Sequence, residues 1–364
     1  MFLFLDFTFG KNSMEIKQIS HFQNGSVSKS FGLMPDKEEI LSFELSNKNG
    51  MKVQVINYGA TVTSLQIPVS NGQLVDVVLG FDTLESYLAS YTLSGAPYFG
   101  TTVGRYAGRI SKGIFKLNDK TYQLNINNNG NALHGGNVGF GQKVWNVTNI
   151  TSGDNPSITL SLLSEDLDEN FPGELHVDLT YTLTEENELK LEYKATTTED
   201  TVINLTHHSY FNLDGHDGNV LDQTMFIDAE KMLETDSDNI PSGNFTDLAH
   251  HDFDFRTTKK CPAIIDNSFV VEATNNAVAK LYSAKNNLQM SVYTDQPSVH
   301  IYVGGKCSDA LTGKENTKYH ASSGICFETQ NFPDAPNQQH FPNSVLKKGE
   351  EYHQTTVYKF ETIN

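Results

Sequence analysis

The run Leu175-His176-Val177-Asp178-Leu179-Thr180-Tyr181-Thr182-Leu183 is followed, after Thr184-Glu185-Glu186-Asn187, by Glu188-Leu189-Lys190-Leu191-Glu192-Tyr193. Apolar residues occupy every second position of both arms, which puts them on one face of an extended strand. The polar insert between the arms reads as a turn, so the segment is an antiparallel hairpin with one face buried. The same alternation recurs at Val53 and Val55, at Ile158, Leu160 and Leu162, at Ile203 and Leu205, at Leu288, Met290 and Val292, and at Val299, Ile301 and Val303. Helical periodicity is scarce. Its best instance is Thr83 to Ala89, where Asp82 is placed to cap the first turn and Leu84 and Leu88 lie four apart. The chain therefore reads as all-β, a single large antiparallel β-sandwich.

The strand-bearing region contains no Pro- or Gly/Ser-rich linker, charge block or fixed-period repeat. Residues 36–364 read as one domain, and residues 1–35, with scattered hydrophobes and no clean period, as a poorly ordered N-terminal extension. The chain has 364 residues, 38% of them hydrophobic and 19% charged, with a net charge of −18. That composition supplies a core and excludes disorder, and the acidic balance disfavours phosphate backbones and anionic membranes as partners. Nothing approaches a membrane-spanning apolar run. The cysteines, Cys261, Cys307 and Cys326, have no CxxC spacing, so free thiols in a reducing cytoplasm fit better than a disulfide framework or a zinc cluster. The apolar start Met1 to Phe7 is interrupted by Asp6 and lacks a basic leader, which argues against a secretory signal.

Phosphate-loop, serine-hydrolase, zincin and dinucleotide motifs are all lacking from the sequence. What stands out instead is a set of polar residues among glycines and aromatics. In Gly104-Arg105-Tyr106-Ala107-Gly108-Arg109 the small residues either shape a solvated turn or let a guanidinium point into a cavity, where its fixed donors suit a polyhydroxyl ligand. His134 precedes Gly135-Gly136 and is either a turn histidine or an imidazole brought to a chosen point by unusual backbone angles. In Thr206-His207-His208-Ser209-Tyr210 a strand sends His207 and His208 to opposite faces, so the two do not share a metal, and His208 joins Thr206 and Tyr210 in a polar row. Asp254, between Phe253 and Phe255, either pairs with a local cation or accepts hydrogen bonds from ligand hydroxyls. Alternation in Ile325-Cys326-Phe327-Glu328-Thr329-Gln330 sets Cys326, Glu328 and Gln330 on one face, just before Phe332-Pro333-Asp334. Glu328 there is either an exposed edge carboxylate or a partly desolvated one with a raised pKa, better suited as a base near neutral pH.

Taken in order, these strings resemble the aldose 1-epimerase family, the galactose mutarotases. The most specific pieces are Leu133-His134-Gly135-Gly136, His208-Ser209-Tyr210-Phe211-Asn212-Leu213, Tyr293-Thr294-Asp295-Gln296-Pro297 and Gly324 to Asp334. The resemblance implies a galactose mutarotase-like supersandwich with a sugar cleft. It implies Glu328 as general base, His208 as general acid, and Arg109, His134, Tyr210, Asp254 and Gln296 as sugar-binding residues. Phe99 or Phe332 are expected to stack on a sugar face. The family implies no metal and no organic cofactor, with a small-molecule aldose as partner; a monomer or weak homodimer is expected. Gly108 and His207 stand where the family often has asparagine; Gly108 thereby forgoes a side-chain hydrogen bond to the sugar. Two other functions stay compatible with this reading. One is a hexose-6-phosphate 1-epimerase, against which the lack of an arginine cluster counts. The other is a non-catalytic carbohydrate-binding module, which has no need of both acid and base.

Overall fold

The alternation at residues 175–193 builds the strands Leu175–Leu183 and Glu188–Thr197 in a computed structural model that describes residues 28–70, 72–93, 95–304 and 312–363. Leu183 lies opposite Leu189, and Leu175 opposite Thr197. Leu175, Val177, Leu179, Tyr181, Leu183, Leu189, Leu191 and Tyr193 are all buried, each leucine contributing about 1.5–3 kcal/mol. Leu179→Asp would place a charge at the centre of that face. Asn187 closes the turn with φ of 60°, in the left-handed region that asparagine tolerates, while the Thr184 N–H donates to the Glu188 carbonyl at 2.9 Å.

This hairpin lies inside a nine-stranded antiparallel sheet ordered Asn146–Thr151, Ser157–Ser164, Leu175–Leu183, Glu188–Thr197, Glu351–Thr362, Leu288–Thr294, Ala279–Ser283, Thr224–Ile227 and Lys259–Lys260. A five-stranded sheet runs in chain order from Lys29–Leu33 to Leu74–Asp76. A six-stranded sheet is ordered Tyr210–Phe211, Ile325–Gln330, Ser298–Val303, Asp266–Val270, Lys231–Thr235 and Pro241–Asp247. One hydrophobic core joins all three: Val53 and Leu65 from the five-stranded sheet, Leu160, Leu191 and Met290 from the nine-stranded one, and Phe269, Ile301 and Phe327 from the six-stranded one. Tyr181 and Tyr358 bridge the layers with their hydroxyls satisfied. Tyr181 donates to the Ala60 carbonyl at 2.6 Å and Tyr358 to the Phe327 carbonyl at 2.9 Å. The architecture is the antiparallel β-sandwich that the alternation predicts.

Two details differ from the sequence reading. Lys29–Leu33 is a strand paired with Glu39–Ser46, so the sheet starts inside the segment assigned to an extension. A register shift between Ser30 and Gly32 breaks its alternation, which is why no period is visible there. Residues 1–27 of the expected extension lie outside the described residues. The helix spans Leu84–Ser90 and is capped by Thr83, whose hydroxyl accepts from the Ser86 N–H at 3.3 Å, in place of Asp82. Cys261 is a buried free thiol and Cys326 is also buried; Cys307 is outside the described residues. No described helix is long and apolar enough to cross a membrane.

Candidate active site

A cleft of about 300 Å³ opens over the six-stranded sheet, and loops carrying Tyr98, Gly108, Arg109, Asn127, Asn128 and His134 face it from above. Its floor follows from cross-strand pairing. Ser268 pairs with His300, and His300 with Glu328. Opposed residues of an antiparallel sheet share a face, so these three form a polar row in the cleft while the intervening Phe269, Ile301 and Phe327 enter the core.

Glu328 lies within the strand Ile325–Gln330 and is 2% exposed. His208 Nε2 approaches Glu328 Oε1 to 3.4 Å. The histidine is held by its backbone, whose N–H donates to the Thr101 carbonyl at 2.9 Å and whose carbonyl accepts from Gly100 at 3.0 Å. Its ring stacks on Tyr210 with centroids 5.2 Å apart, and its Nδ1 lies 3.6 Å from Cys326 Sγ. His207 points the other way, as the alternation requires. It packs between Tyr181 and Tyr358, bonds Ser209 Oγ at 2.7 Å, and burial together with the charge of His208 pushes it down to about 3.

His134 owes its position to two glycines. Gly135 has φ of +88°, and a Cβ there would come within 2.0 Å of the Gly104 carbonyl oxygen, so no other residue fits. Gly108, at φ of +76°, would set a Cβ 2.9 Å from Pro333, and its N–H donates to His134 Nδ1 at 3.3 Å. A steric reason thus accompanies the departure from asparagine. Burial holds the His134 imidazole well below the ordinary histidine value, with the His208, Arg109 and His300 charges acting in the same direction. His134 is therefore neutral, with its proton on Nε2, a donor facing the cleft. Arg109 is fixed through Nε, which donates to Asn128 Oδ1 at 3.2 Å. Ligand atoms of His134, His208 and Glu328 lie within 4.8 Å of one another. By type they suit a transition metal, but a protonated Nε2 on His134 offers it no lone pair.

The structure thus brings Arg109, His134, His208, Tyr210 and Glu328 together around one cleft. It places Asp254 and Gln296 elsewhere. Asp254 takes the bidentate guanidinium of Arg256 at 2.9 and 2.8 Å, which holds its carboxyl down at about 2. Gln296 is buried, donating through Nε2 to Asp295 Oδ1 at 2.8 Å. Phe99 is enclosed by Phe81, Tyr210 and Tyr319, and Phe332 by Phe245 and Phe341. The aromatic walls of the cleft are instead Tyr91, Tyr98, Tyr210 and Tyr302.

Sequence reasoning missed Asp266, Ser268 and His300, which line the cleft. The signal was present: with Val299, Ile301 and Val303 turned inward, His300 and Tyr302 had to face the other side. His300 Nε2 lies 2.9 Å from Asp266 Oδ1, and Nδ1 lies 2.8 Å from Ser268 Oγ. Burial raises the Asp266 carboxyl, but the hydrogen bond and charge of His300, with the charge of Arg109, outweigh it and hold it at about 2.

The chain is similar to known proteins over most of its length. A family model described as aldose 1-epimerase matches residues 42–359. The galactose mutarotase of Bos taurus is 39% identical over 321 residues, covering 85% of this chain and 91% of that protein. The aldose 1-epimerase of Escherichia coli (strain K12) is 31% identical over 346 residues, covering 90% and 97%. Among solved structures, an aldose epimerase homologue from C. elegans superposes with a TM-score of 0.82 at 31% identity, covering 88% of this chain and 98% of that one.

Proposed function

The chain belongs to the aldose 1-epimerase family, and from that premise we propose that His208 and Glu328 are the acid and base with which it interconverts the α and β anomers of free aldoses such as galactose and glucose. The observation that carries the assignment is the 3.4 Å approach of His208 Nε2 to Glu328 Oε1 at the floor of the cleft.

Anomer exchange requires opening a hemiacetal and closing it on the other face of C1. The C1 hydroxyl oxygen and the ring oxygen are bonded to the same carbon, so the acid and base that serve them must be neighbours. His208 and Glu328 meet that demand side by side rather than opposed across the ring. Ionised Glu328 takes the C1 hydroxyl proton, the C1–ring oxygen bond breaks, and protonated His208 delivers its proton to the ring oxygen. The product is the open-chain aldehyde. After rotation about C1–C2, His208 takes the proton back from that hydroxyl as it attacks C1, and Glu328 returns its own to the carbonyl oxygen. Both groups end as they began.

Arg109 and the Nε2–H of His134 donate to sugar oxygens, and Tyr210 packs behind His208, fixing its ring. We propose these three as binding residues, with Asp266 replacing Asp254 and Gln296 as the acceptor for sugar hydroxyls. Arg109 is the single Lys or Arg among the described residues lining the cleft, which favours an unphosphorylated aldose over a hexose 6-phosphate. The buried free thiol of Cys261 supports a cytoplasmic site of action, and a monomer or weak homodimer is the assembly we propose. Polarimetry with galactose, glucose and their 6-phosphates tests the reading: the free sugars should relax faster than in buffer, the phosphates should not.

A further inference from the structure

Beside the acid–base pair runs a hydrogen-bond chain that ring opening does not use. It consists of Asp266 Oδ1, His300 Nε2 and Nδ1, and Ser268 Oγ, joined at 2.9 and 2.8 Å. All three residues line the cleft. An ionised carboxylate can only accept, so His300 Nε2 carries a hydrogen whatever the state of the ring. Nδ1 is the atom that changes. In the neutral imidazole it is a lone pair and takes the hydrogen of Ser268, whose oxygen then turns only lone pairs to the cleft. In the imidazolium it donates to Ser268 Oγ and releases the serine hydrogen to point outward.

We propose that Asp266, His300 and Ser268 form a relay that tunes sugar recognition: the protonation state of His300 decides whether Ser268 offers a bound aldose a hydrogen or a lone pair. The inference rests on the anomer-exchanging reading of this cleft and makes His300 a positioning residue, acting through Ser268 and Asp266. Its charged and titratable neighbours are Asp266 on one flanking strand, Glu328 on the other with His208 beyond it, and Arg109 and His134 facing from the loops. Burial pushes the imidazole down, but the hydrogen bond and charge of Asp266, helped by Glu328, outweigh that and the opposing Arg109, leaving it raised above the ordinary histidine value. The imidazolium, and with it the outward serine hydrogen, persists to higher pH than in an unpaired histidine.

The test measures kcat and KM for galactose from about pH 5.5 to 9, a range spanning histidine titration, in wild type, His300→Gln and Ser268→Ala. Glutamine fills the space without titrating, and alanine removes the hydroxyl while leaving the Asp266–His300 pair. Wild-type KM should move by about 3- to 10-fold with a titration that both variants lack, the effect of gaining or losing one hydrogen bond. The kcat profile should keep its shape in all three. Should His300→Gln fail to fold, Ser268→Ala alone decides. The same KM titration persisting in Ser268→Ala overturns the relay, as do kcat and KM profiles that shift together. Calorimetric Kd values for galactose at the two pH limits provide a readout independent of turnover. Wild type that binds with this pH dependence yet exchanges no anomers refutes the catalytic reading and upholds the relay; a pH-independent wild-type Kd refutes the relay.

Discussion

Replacing Asp76 by asparagine should destabilise the protein far more than its position outside the cleft suggests. Asp76 Oδ2 meets Lys314 Nζ at 2.7 Å, Ser64 Oγ at 2.8 Å and His216 Nε2 at 3.5 Å. Its Oδ1 accepts from the backbone N–H groups of Leu65 at 3.0 Å and Val78 at 3.4 Å. The Asp76 and Lys314 side chains are 12% and 8% exposed. Burial would raise the carboxyl, but the Lys314 charge and His216 hold it far below the ordinary carboxylate range. In Asp76→Asn, Lys314 keeps the Thr63 carbonyl at 2.6 Å and at best a neutral amide oxygen, and becomes a buried cation without its paired counter-charge, at a cost of about 3–5 kcal/mol. Lys314→Met leaves the carboxylate with its other four partners and should cost less, about 1–3 kcal/mol. The double variant should be more stable than Asp76→Asn alone, because it carries no unpaired buried charge. Urea unfolding of the four proteins measures this, with a coupling of at least about 1 kcal/mol expected for contacting charges. An Asp76→Asn protein within about 0.5 kcal/mol of wild type, or strictly additive losses, would refute the reasoning.

The same carboxyl predicts an acid limb. Because its folded value is depressed, its contribution is complete above the unfolded aspartate value near about 3.9 and lost as pH falls below it; wild-type urea midpoints should drop there more steeply than those of Asp76→Asn. Asp266→Asn should raise KM for galactose about 10- to 100-fold by removing a charged acceptor, whereas Asp254→Ala should change it no more than about twofold; the reverse pattern in steady-state kinetics would restore the sequence-based assignment. Gly108→Ala forces a Cβ toward Pro333 at positive φ and should cost roughly 1–3 kcal/mol in urea unfolding while raising KM through displacement of His134.

The fold was legible because one face of nearly every long strand is buried and the other is not. Where that asymmetry fails, so does the reading. Ile325–Gln330 is buried at all six positions, yet its two faces still differ in chemistry, so Cys326, Glu328 and Gln330 were separated correctly from Ile325 and Phe327. The bulged Lys29–Leu33 strand has no such record in its sequence. Of the residues that line the cleft, Glu328, His208, His134 and Arg109 stand out in the sequence through their glycine and aromatic surroundings. Asp254, which pairs with Arg256 away from the cleft lining, drew attention because an Asp between aromatics looks alike whether it meets a ligand or an arginine two residues away. The facing of His300 was readable from the alternation of its strand, but its pairing with Asp266 is across strands, a relation that register determines and a linear string does not display.

The most direct test of the acid–base assignment is the optical rotation of freshly dissolved α-D-galactose at low buffer concentration, with wild type, Glu328→Gln and His208→Asn in parallel. Both substitutions are close in shape, so circular dichroism should match wild type. Wild type should speed relaxation to anomeric equilibrium, and each variant should fall by about 10²–10⁴. A folded Glu328→Gln protein that relaxes the sugar as fast as wild type would contradict the account.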